Sequence, residues 1–388
     1  MLREYFVSKE QSSRKASNLI NSHLQTSISL IHALNMAFRS LTLFALCGVS
    51  LAGPSAPPLR PVSTLFEFPN PSYIENLAVR SNGQILISDL STSQLTLFDP
   101  SASGPKKPVF VHDFTESLGL AGIAEYQPDV FAVITGNTSF TSDVPSAGTW
   151  IVWSVDLRGV DISSTHGQVG LLASPPAVKK IAHVEAAQFL NGISVLSEQD
   201  QTLLVGDVNG GVIWRLDIKT GHYEVAINNT YTQLYPATPF SASGVDGLHV
   251  RDGFVYFTNF GNGTFNKMPI NRDGTPAGPV TTLAHNHGPL HEYDDFTFDC
   301  DGNAFVVTGG ENTIEMISAD GKRQVVVAGN LNSTAIAEPT SCAFGRGPHD
   351  KNILYVVTAG GMETPVNGNV VIGGQLVAVN TTSRGSAC

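Results

Sequence analysis

One phrase recurs six times along the chain, and this recurrence limits the fold more than any other feature. An exposed loop leads into a short apolar run. A turn, often built on Gly, leads to a β-rich run, then to a polar turn and a last strand. The first copy is IENLAVRSNGQILISDLSTSQLTLFDP (Ile74–Pro100). The others start near GLAGIAEYQPDVFAVIT (Gly119), NGISVLSEQDQTLLVGDVNGGVIWRLDI (Asn191), VDGLHVRDGFVYFTNFGNGTFNKMPI (Val245), DDFTFDCDGNAFVVTGGENTIEMISADG (Asp294) and PTSCAFGRGPHDKNILYVVTAGG (Pro339). Their spacing of roughly 45–70 residues suits propeller blades with loops added. No single copy can bury its own faces, so neighbours must pack on one another. The expected fold is all-β: a six-bladed β-propeller whose four-stranded blades close around a central channel. Function is expected in that channel.

The chain of 388 residues is long enough for one large β domain, which six similar repeats favour over two smaller ones. Its formal net charge is −11 with only 22 Lys+Arg, and no basic stripe occurs, so nucleic acid is excluded as the expected partner. No apolar run after residue 60 approaches a membrane span. Each inner strand is expected to be apolar and rich in small residues, because six of them crowd the axis; LAVR, GISV, GLHV, FTFD and CAFG fit. Outer strands alternate, as in VIWRLDI, where Val212, Trp214 and Leu216 share a face. STLFEFP (Ser63–Pro69) and QLVAVN (Gln375–Asn380) are expected to close the ring, one completing a blade begun by the other. Three inserts are candidate binding loops: Thr135–Trp150, Asn228–Gly244 and Ala284–Tyr293.

The first residues have a different character. Met36-Ala-Phe-Arg39 precedes SLTLFALCGVSLAG (Ser40–Gly53), and APPLRP follows. A basic start, an apolar stretch and small residues at its end read as a secretory signal peptide. Residues 1–35 are then an upstream extension, 36–53 the signal and 54–388 the propeller, so the protein is expected to be secreted or to reside in the secretory lumen. Cys47 lies inside the signal. Cys300 and Cys342 fall in inner strands of adjacent blades and are candidates to pair; an odd cysteine, with Cys388 counted, remains under any pairing. Sequons at Asn137, Asn228, Asn262, Asn332 and Asn380 fit a glycosylated secreted protein.

The residues just ahead of each inner strand should ring one end of the channel. In order they are Glu75, Gly122, Asn191, Asp246, Asp295 and Ser341. Converging polar oxygens suit a hard cation such as Ca²⁺, or a polar ligand. Asn191-Gly192 and Asp246-Gly247 also read as ordinary turn formers. His285, His287 and His291 have the spacing of metal ligands, but share a loop with Gly288-Pro289 that reads equally as a solvated segment.

Glu75 in IENLAV, Asn191 in LNGISV and Asp246 in VDGLHV resemble, in order and type, the metal ligands of the regucalcin/gluconolactonase-like six-bladed propellers, from Ser63 to Asn380. That resemblance implies a Ca²⁺ site on Glu75, Asn191 and Asp246 and a Ca²⁺-dependent lactonase or esterase activity. Gly122 departs from the polar group usual at its position. In the last third, YDDFTFDCDGNAFVV, IAEPTSCAFGRG, LYVVTAGG and GGQLVAV resemble a fungal secreted branch of the superfamily that includes hetero-Diels–Alderases of tropolone-sesquiterpenoid pathways. This second resemblance implies small-molecule partners, a polyketide-derived quinone methide and a humulene-type sesquiterpene, with no cofactor required. A cycloaddition needs two partners held in register, a donor on the quinone-methide carbonyl and an apolar wall. Candidate catalytic groups are Tyr293, Asp295, Thr340 and Ser341. Candidate substrate-binding residues are Phe189, Asn191, Phe260 and His287, with Trp153 and Tyr231 as further walls or as blade packing. A non-catalytic binding propeller is a third reading. Neither GxSxG nor HExxH occurs, and no phosphate-binding glycine loop appears.

Overall fold

A computed structural model describes residues 58–103, 106–138, 146–162, 172–236 and 242–385. The expected upstream extension and signal peptide therefore lie outside the described residues, as do parts of the first two inserts. Strand β1 (Val62–Glu67) comes first. Blade 1 holds β2 (Ile74–Val79), β3 (Ile85–Asp89), β4 (Gln94–Phe98) and β5 (Val109–Asp113). Blade 2 holds β6 (Gly119–Gln127), β7 (Val130–Gly136), β8 (Ile151–Asp156) and β9 (Ala177–His183). Blade 3 holds β10 (Leu190–Ser197), β11 (Thr202–Asp207), β12 (Val212–Asp217) and β13 (Tyr223–Ile227). Blade 4 holds β14 (Val245–Arg251), β15 (Phe254–Asn259), β16 (Thr264–Pro269) and β17 (Thr281–His285). Blade 5 holds β18 (Phe296–Phe298), β19 (Ala304–Val307), β20 (Thr313–Ile317) and β21 (Gln324–Gly329). Blade 6 holds β22 (Pro339–Phe344), β23 (Ile353–Thr358) and β24 (Gln375–Asn380), and β1 completes it.

The expected closure holds. β1 pairs antiparallel with β24, from Val62 opposite Val379 to Glu67 opposite Gln375. Blade 6 thus takes its outermost strand from the other end of the chain, which gives it the same four strands as the other blades.

Each of the six apolar clusters lies between consecutive blades. Between blades 4 and 5, Phe265 meets Phe296 edge to face at 4.8 Å. Between blades 2 and 3, Trp150 is fully buried and donates its indole N–H to Gln188 O at 3.0 Å. Each buried aromatic of this kind contributes about 1.5–3 kcal/mol, so the ring is stabilised at every blade junction.

Five of the six inner strands share one irregularity, and it creates much of the site. In β10, Leu190 is opposite Asp207 but Ile193 is opposite Val205, so Asn191 and Gly192 together face Gly206 alone. In β14, Asp246 and Gly247 likewise face Thr258. The same break falls at Glu75 in β2, at Ala121-Gly122 in β6 and at Thr340 in β22. A bulge lets a strand re-aim a side chain that strict alternation would commit to one face. Asn191-Gly192 and Asp246-Gly247 are therefore bulges within strands, not the turns their composition suggested. The glycines serve close packing at the axis. A Cβ on Gly122 would lie 2.2 Å from Asn191 O, and one on Gly192 2.3 Å from Asp246 O.

Candidate functional site

The channel is divided into two separate spaces. The first is a cavity of about 360 Å³. Glu75, Asn191 and Asp246 line it together, delivered by the bulges of β2, β10 and β14. Asp294 and Glu363 add two more carboxyls, and Ser243 adds a hydroxyl. Tyr73, Leu90, Phe189, Val208 and Phe260 supply the apolar walls. Phe189 is held by Trp150, with ring centroids 4.6 Å apart. The Tyr73 hydroxyl donates to Glu363 Oε2 at 3.4 Å. Glu363 stands on the loop between β23 and β24, which Glu338 fastens by accepting from Glu363 N at 3.1 Å and Thr364 N at 2.7 Å.

Crowding acids in a dry cavity disfavours their charged forms. Burial first, then the neighbouring carboxyls, pushes Glu75 up to about 8, against a side-chain hydrogen bond from Asn191 that favours the anion. Burial likewise raises Glu363 to about 7. Asp246 and Asp294 are raised well above the usual carboxylate range, by burial and then by the other acids. Without a counter-cation, burial favours the neutral, hydrogen-bond-donating form of these acids.

The donor set also suits a hard cation. Glu75, Asn191 and Asp246 offer only oxygen ligands of the kind Ca²⁺ prefers. Asp246 Oδ1 is buried without a hydrogen-bond partner, as a displaced ligand oxygen would be. Among the described residues, however, no three His, Cys, Asp or Glu side chains already stand at ligating spacing.

The other sequence-stipulated candidates are dispersed. Tyr293 is fully buried in the core between blades 4 and 5. Its hydroxyl donates to Glu315, while Gln324 donates to it at 2.9 Å. It does not face the cavity, because its ring belongs to the apolar cluster that also holds Phe265, Phe296 and Phe298. We expect Tyr293→Phe to lower stability by about 1–3 kcal/mol, since buried Glu315 loses a donor, without changing ligand handling at the axis; a melt alongside a binding titration checks this. Thr340 is also buried, and its hydroxyl donates to Ile74 O at 2.6 Å, fastening blade 6 to blade 1.

Asp295 and Ser341 meet each other, with Ser341 Oγ donating to Asp295 Oδ2 at 2.9 Å, but they lie outside this cavity's lining. The cavity takes Asp294 instead. A one-residue difference at the strand entrance exchanges the two faces.

Trp153 packs between blades 1 and 2, its ring 5.3 Å from Phe114 and its N–H donating to Thr135 Oγ1. Tyr231 is 41% exposed and is not part of the wall. His285, the exposed last residue of β17, and His287, on the loop after it, stack at 6.4 Å, and His291 turns to Asn286 O, so the three imidazoles form no metal site and His287 does not line the cavity. Cys342 is free and buried whereas Cys300 is disulfide-bonded, so these two do not pair with each other. Tyr73, Asp294 and Glu363 were not legible as site residues. Asp294 had a signal in the Asp-Asp pair; Glu363 and Tyr73 are brought together across 290 positions of sequence.

The fold and site define a class: a six-bladed propeller with an axial cavity of acids and aromatics. Similarity to known proteins points further. The chain is 27% identical over 321 residues to a "Putative hetero-Diels-Alderase" of Phoma sp, covering 76% of this chain and 86% of the relative. It is 26% identical over 358 residues to a second protein of that name from Sarocladium schorii, covering 84% and 85%. No family model matches. Among solved structures, a luciferin-regenerating enzyme shares the fold at TM-score 0.57 and 16% identity, over 84% of this chain and 97% of its own. A "putative gluconolactonase" does so at TM-score 0.53 and 12% identity, over 85% and 95%. The calcium-binding protein regucalcin of Agrobacterium tumefaciens does so at 0.51 and 14%, over 85% and 98%. These structural likenesses support the propeller fold.

Proposed function

We propose that this protein is a hetero-Diels–Alderase that joins an ortho-quinone methide of tropolone type to a humulene-type sesquiterpene in the 360 Å³ axial cavity. The observation that carries the reading is the pairing of apolar walls with a floor of protonatable acids, in a chain similar to proteins of that name. The heterodiene's exocyclic carbon and carbonyl oxygen each form a bond to one alkene carbon. Two σ bonds form, the π electrons shift around the ring of six atoms, and no atom leaves. Phe189, Phe260 and Tyr73 hold the two partners in contact, which lowers the barrier by removing the cost of bringing them together. A neutral carboxyl of Glu75, Asp246 or Glu363 donates to the quinone-methide oxygen, where negative charge grows in the transition state. A carboxylic acid kept neutral by an apolar site is an established means of supplying such a donor.

The test uses a quinone methide generated in the presence of the alkene, with the isomer ratio measured against a blank. Enzyme is expected to enrich one isomer at least about tenfold, and Phe189→Ala with Phe260→Ala to return the mixture to the blank's ratio, as expected when orientation supplies the rate. An isomer ratio identical with and without enzyme would remove this reading.

The second reading is a Ca²⁺-dependent lactonase, favoured by the orphaned Asp246 Oδ1. Glu75, Asn191 and Asp246 would hold the ion, whose chemistry when bound is Lewis-acid polarisation of a carbonyl. Chelation separates the two readings: lactone opening stops with EDTA, while cycloadduct selectivity persists. We also propose passage through the secretory pathway. A disulfide at Cys300 fits an oxidising compartment, and Asn228, Asn262, Asn332 and Asn380 are exposed to glycosylation.

A further inference from the structure

On the far side of the Asp295 layer the channel opens again. Two adjoining spaces of about 600 and 440 Å³ share Glu125 and His249, and so form one mouth. One stretch of its wall is apolar, with Leu77, Ile123, Ile193 and Val195 contributed by the inner strands of blades 1 to 3, and the rest carries charged side chains. At its inner end stands His249, on β14, part-exposed and packed edge to face on Phe296 at 4.8 Å. His249 Nε2 lies 3.3 Å from Asp295 Oδ1, within ion-pair reach but off the line of a good hydrogen bond. Such slack is common before a ligand tightens a site.

Asp295 itself is fixed from three directions. Asn76 Nδ2 donates to Oδ2 at 3.0 Å, Ser341 Oγ donates to Oδ2 at 2.9 Å, and Phe296 N donates to Oδ1 at 2.8 Å. All three donors and the acid are buried. Blades 1, 5 and 6 thus aim one carboxylate at an imidazole from blade 4. A carboxylate on one ring nitrogen sets the tautomer and orientation of the ring and leaves the other nitrogen to act. With Nε2 turned to Asp295, Nδ1 is the nitrogen left for the cavity.

The charges around the mouth decide what it can take. Arg346 is engaged with Glu125 and with Val79 O. Arg251 is engaged with Asp252 and Asp299 O, and lies over the ring of Phe298. Glu125, Glu198 and Asp252 then oppose an anion. The chemistry left is one apolar stretch of wall beside an imidazole acceptor backed by an acid.

We propose that this opposite mouth is a second small-molecule site, built on the His249–Asp295 dyad, for a neutral aromatic compound carrying one acidic hydroxyl of the phenol class. The hydroxyl donates a hydrogen bond to His249 Nδ1 and stays neutral, because Glu125, Glu198 and Asp252 oppose a negative charge in this mouth. This site is independent of the reading given for the other cavity.

The full chain is titrated with 4-nitrophenol at a pH below that at which the free phenol ionises, and uptake is followed by equilibrium dialysis. Saturable uptake of one equivalent of the neutral phenol is expected. His249→Gln should weaken uptake at least about tenfold. Val195→Trp fills the mouth from the wall without touching the dyad, and should block uptake with the same result, which keeps the test decisive if the His249 variant fails to fold. Absence of saturable uptake, uptake that survives both substitutions, or loss caused instead by Phe260→Trp at the other mouth would overturn the proposal.

Discussion

Gly192→Val is expected to prevent the protein from folding. The Cβ alone would stand 2.3 Å from Asp246 O, 2.8 Å from Leu248 N and 3.0 Å from Gly247 Cα. All three are backbone atoms of the neighbouring inner strand, so no side-chain rotation relieves the contact. Blades 3 and 4 would have to separate at the axis, where the closed ring leaves them no direction to move. Overpacking of an ordinary core costs about 1–3 kcal/mol, and here the obstruction is backbone against backbone, so the loss should exceed that range. The check is soluble yield with a denaturant melt of any protein recovered. A cooperative melt within about 1 kcal/mol of the parent, a change typical of surface substitutions, would show that the inner strands do not pack as described. Gly159→Val, at a position with nothing within 4 Å of its Cβ but a φ of +73°, is a control for backbone strain alone.

Stability is expected to fall steeply as pH rises from about 5 to about 8, the window set by the raised acids. Glu75, Glu292 and Glu338 are pushed up to about 8 and Glu363 to about 7, in every case chiefly by burial, from 4.5 in an open chain. Asp246 and Asp294 move in the same direction. A folded state with raised acid pKa values binds more protons than the unfolded chain. Their stabilising contribution is therefore full below about 4.5 and is lost as pH climbs through the folded values. Asp320 has the opposite sign: hydrogen bonds hold it down to about 2, and its contribution is lost only as pH falls towards that value.

Melts across this range in EDTA test the sign, and a Tm that is flat or rising from pH 5 to 8 would contradict it. Ca²⁺ gives the second half of the experiment. A cation that displaces protons from these acids binds more tightly as pH rises, so the Tm gain from Ca²⁺ should grow with pH if Glu75, Asn191 and Asp246 hold it. Asp246→Asn should raise the Tm at pH 8 in EDTA and abolish the response to Ca²⁺. A Ca²⁺ response unchanged in that variant would place the ion elsewhere.

Much of the architecture was legible in sequence. Blade number followed from six copies of one apolar–turn–apolar phrase, since such a unit cannot be buried except against its neighbours. Ring closure followed from two strand-like runs at the ends of the propeller, Ser63–Pro69 and Gln375–Asn380, and β1 does pair with β24. Glu75, Asn191 and Asp246 could be placed on one cavity because each occupies the same point of its repeat, and Phe189 and Phe260 join them there. The fifth position was misread by one residue: Asp294 enters that cavity while Asp295 turns to Asn76, Ser341 and His249. Nothing local distinguishes two adjacent aspartates, since the choice depends on where β18 begins against β19. The place of Tyr293 was equally hidden, because its hydroxyl answers to Glu315 and Gln324, which belong to later strands.

By itself, then, the sequence determined the repeat, the strands, the ring and the residues the bulges can present, all of which depend on neighbours a few positions apart. Only the tertiary structure decided that the channel is two spaces, that Tyr73 and Glu363 share one, and that His249 faces Asp295 in the other. Those pairings rest on contacts between distant strands, and their geometry exists only once all six blades have closed around the axis.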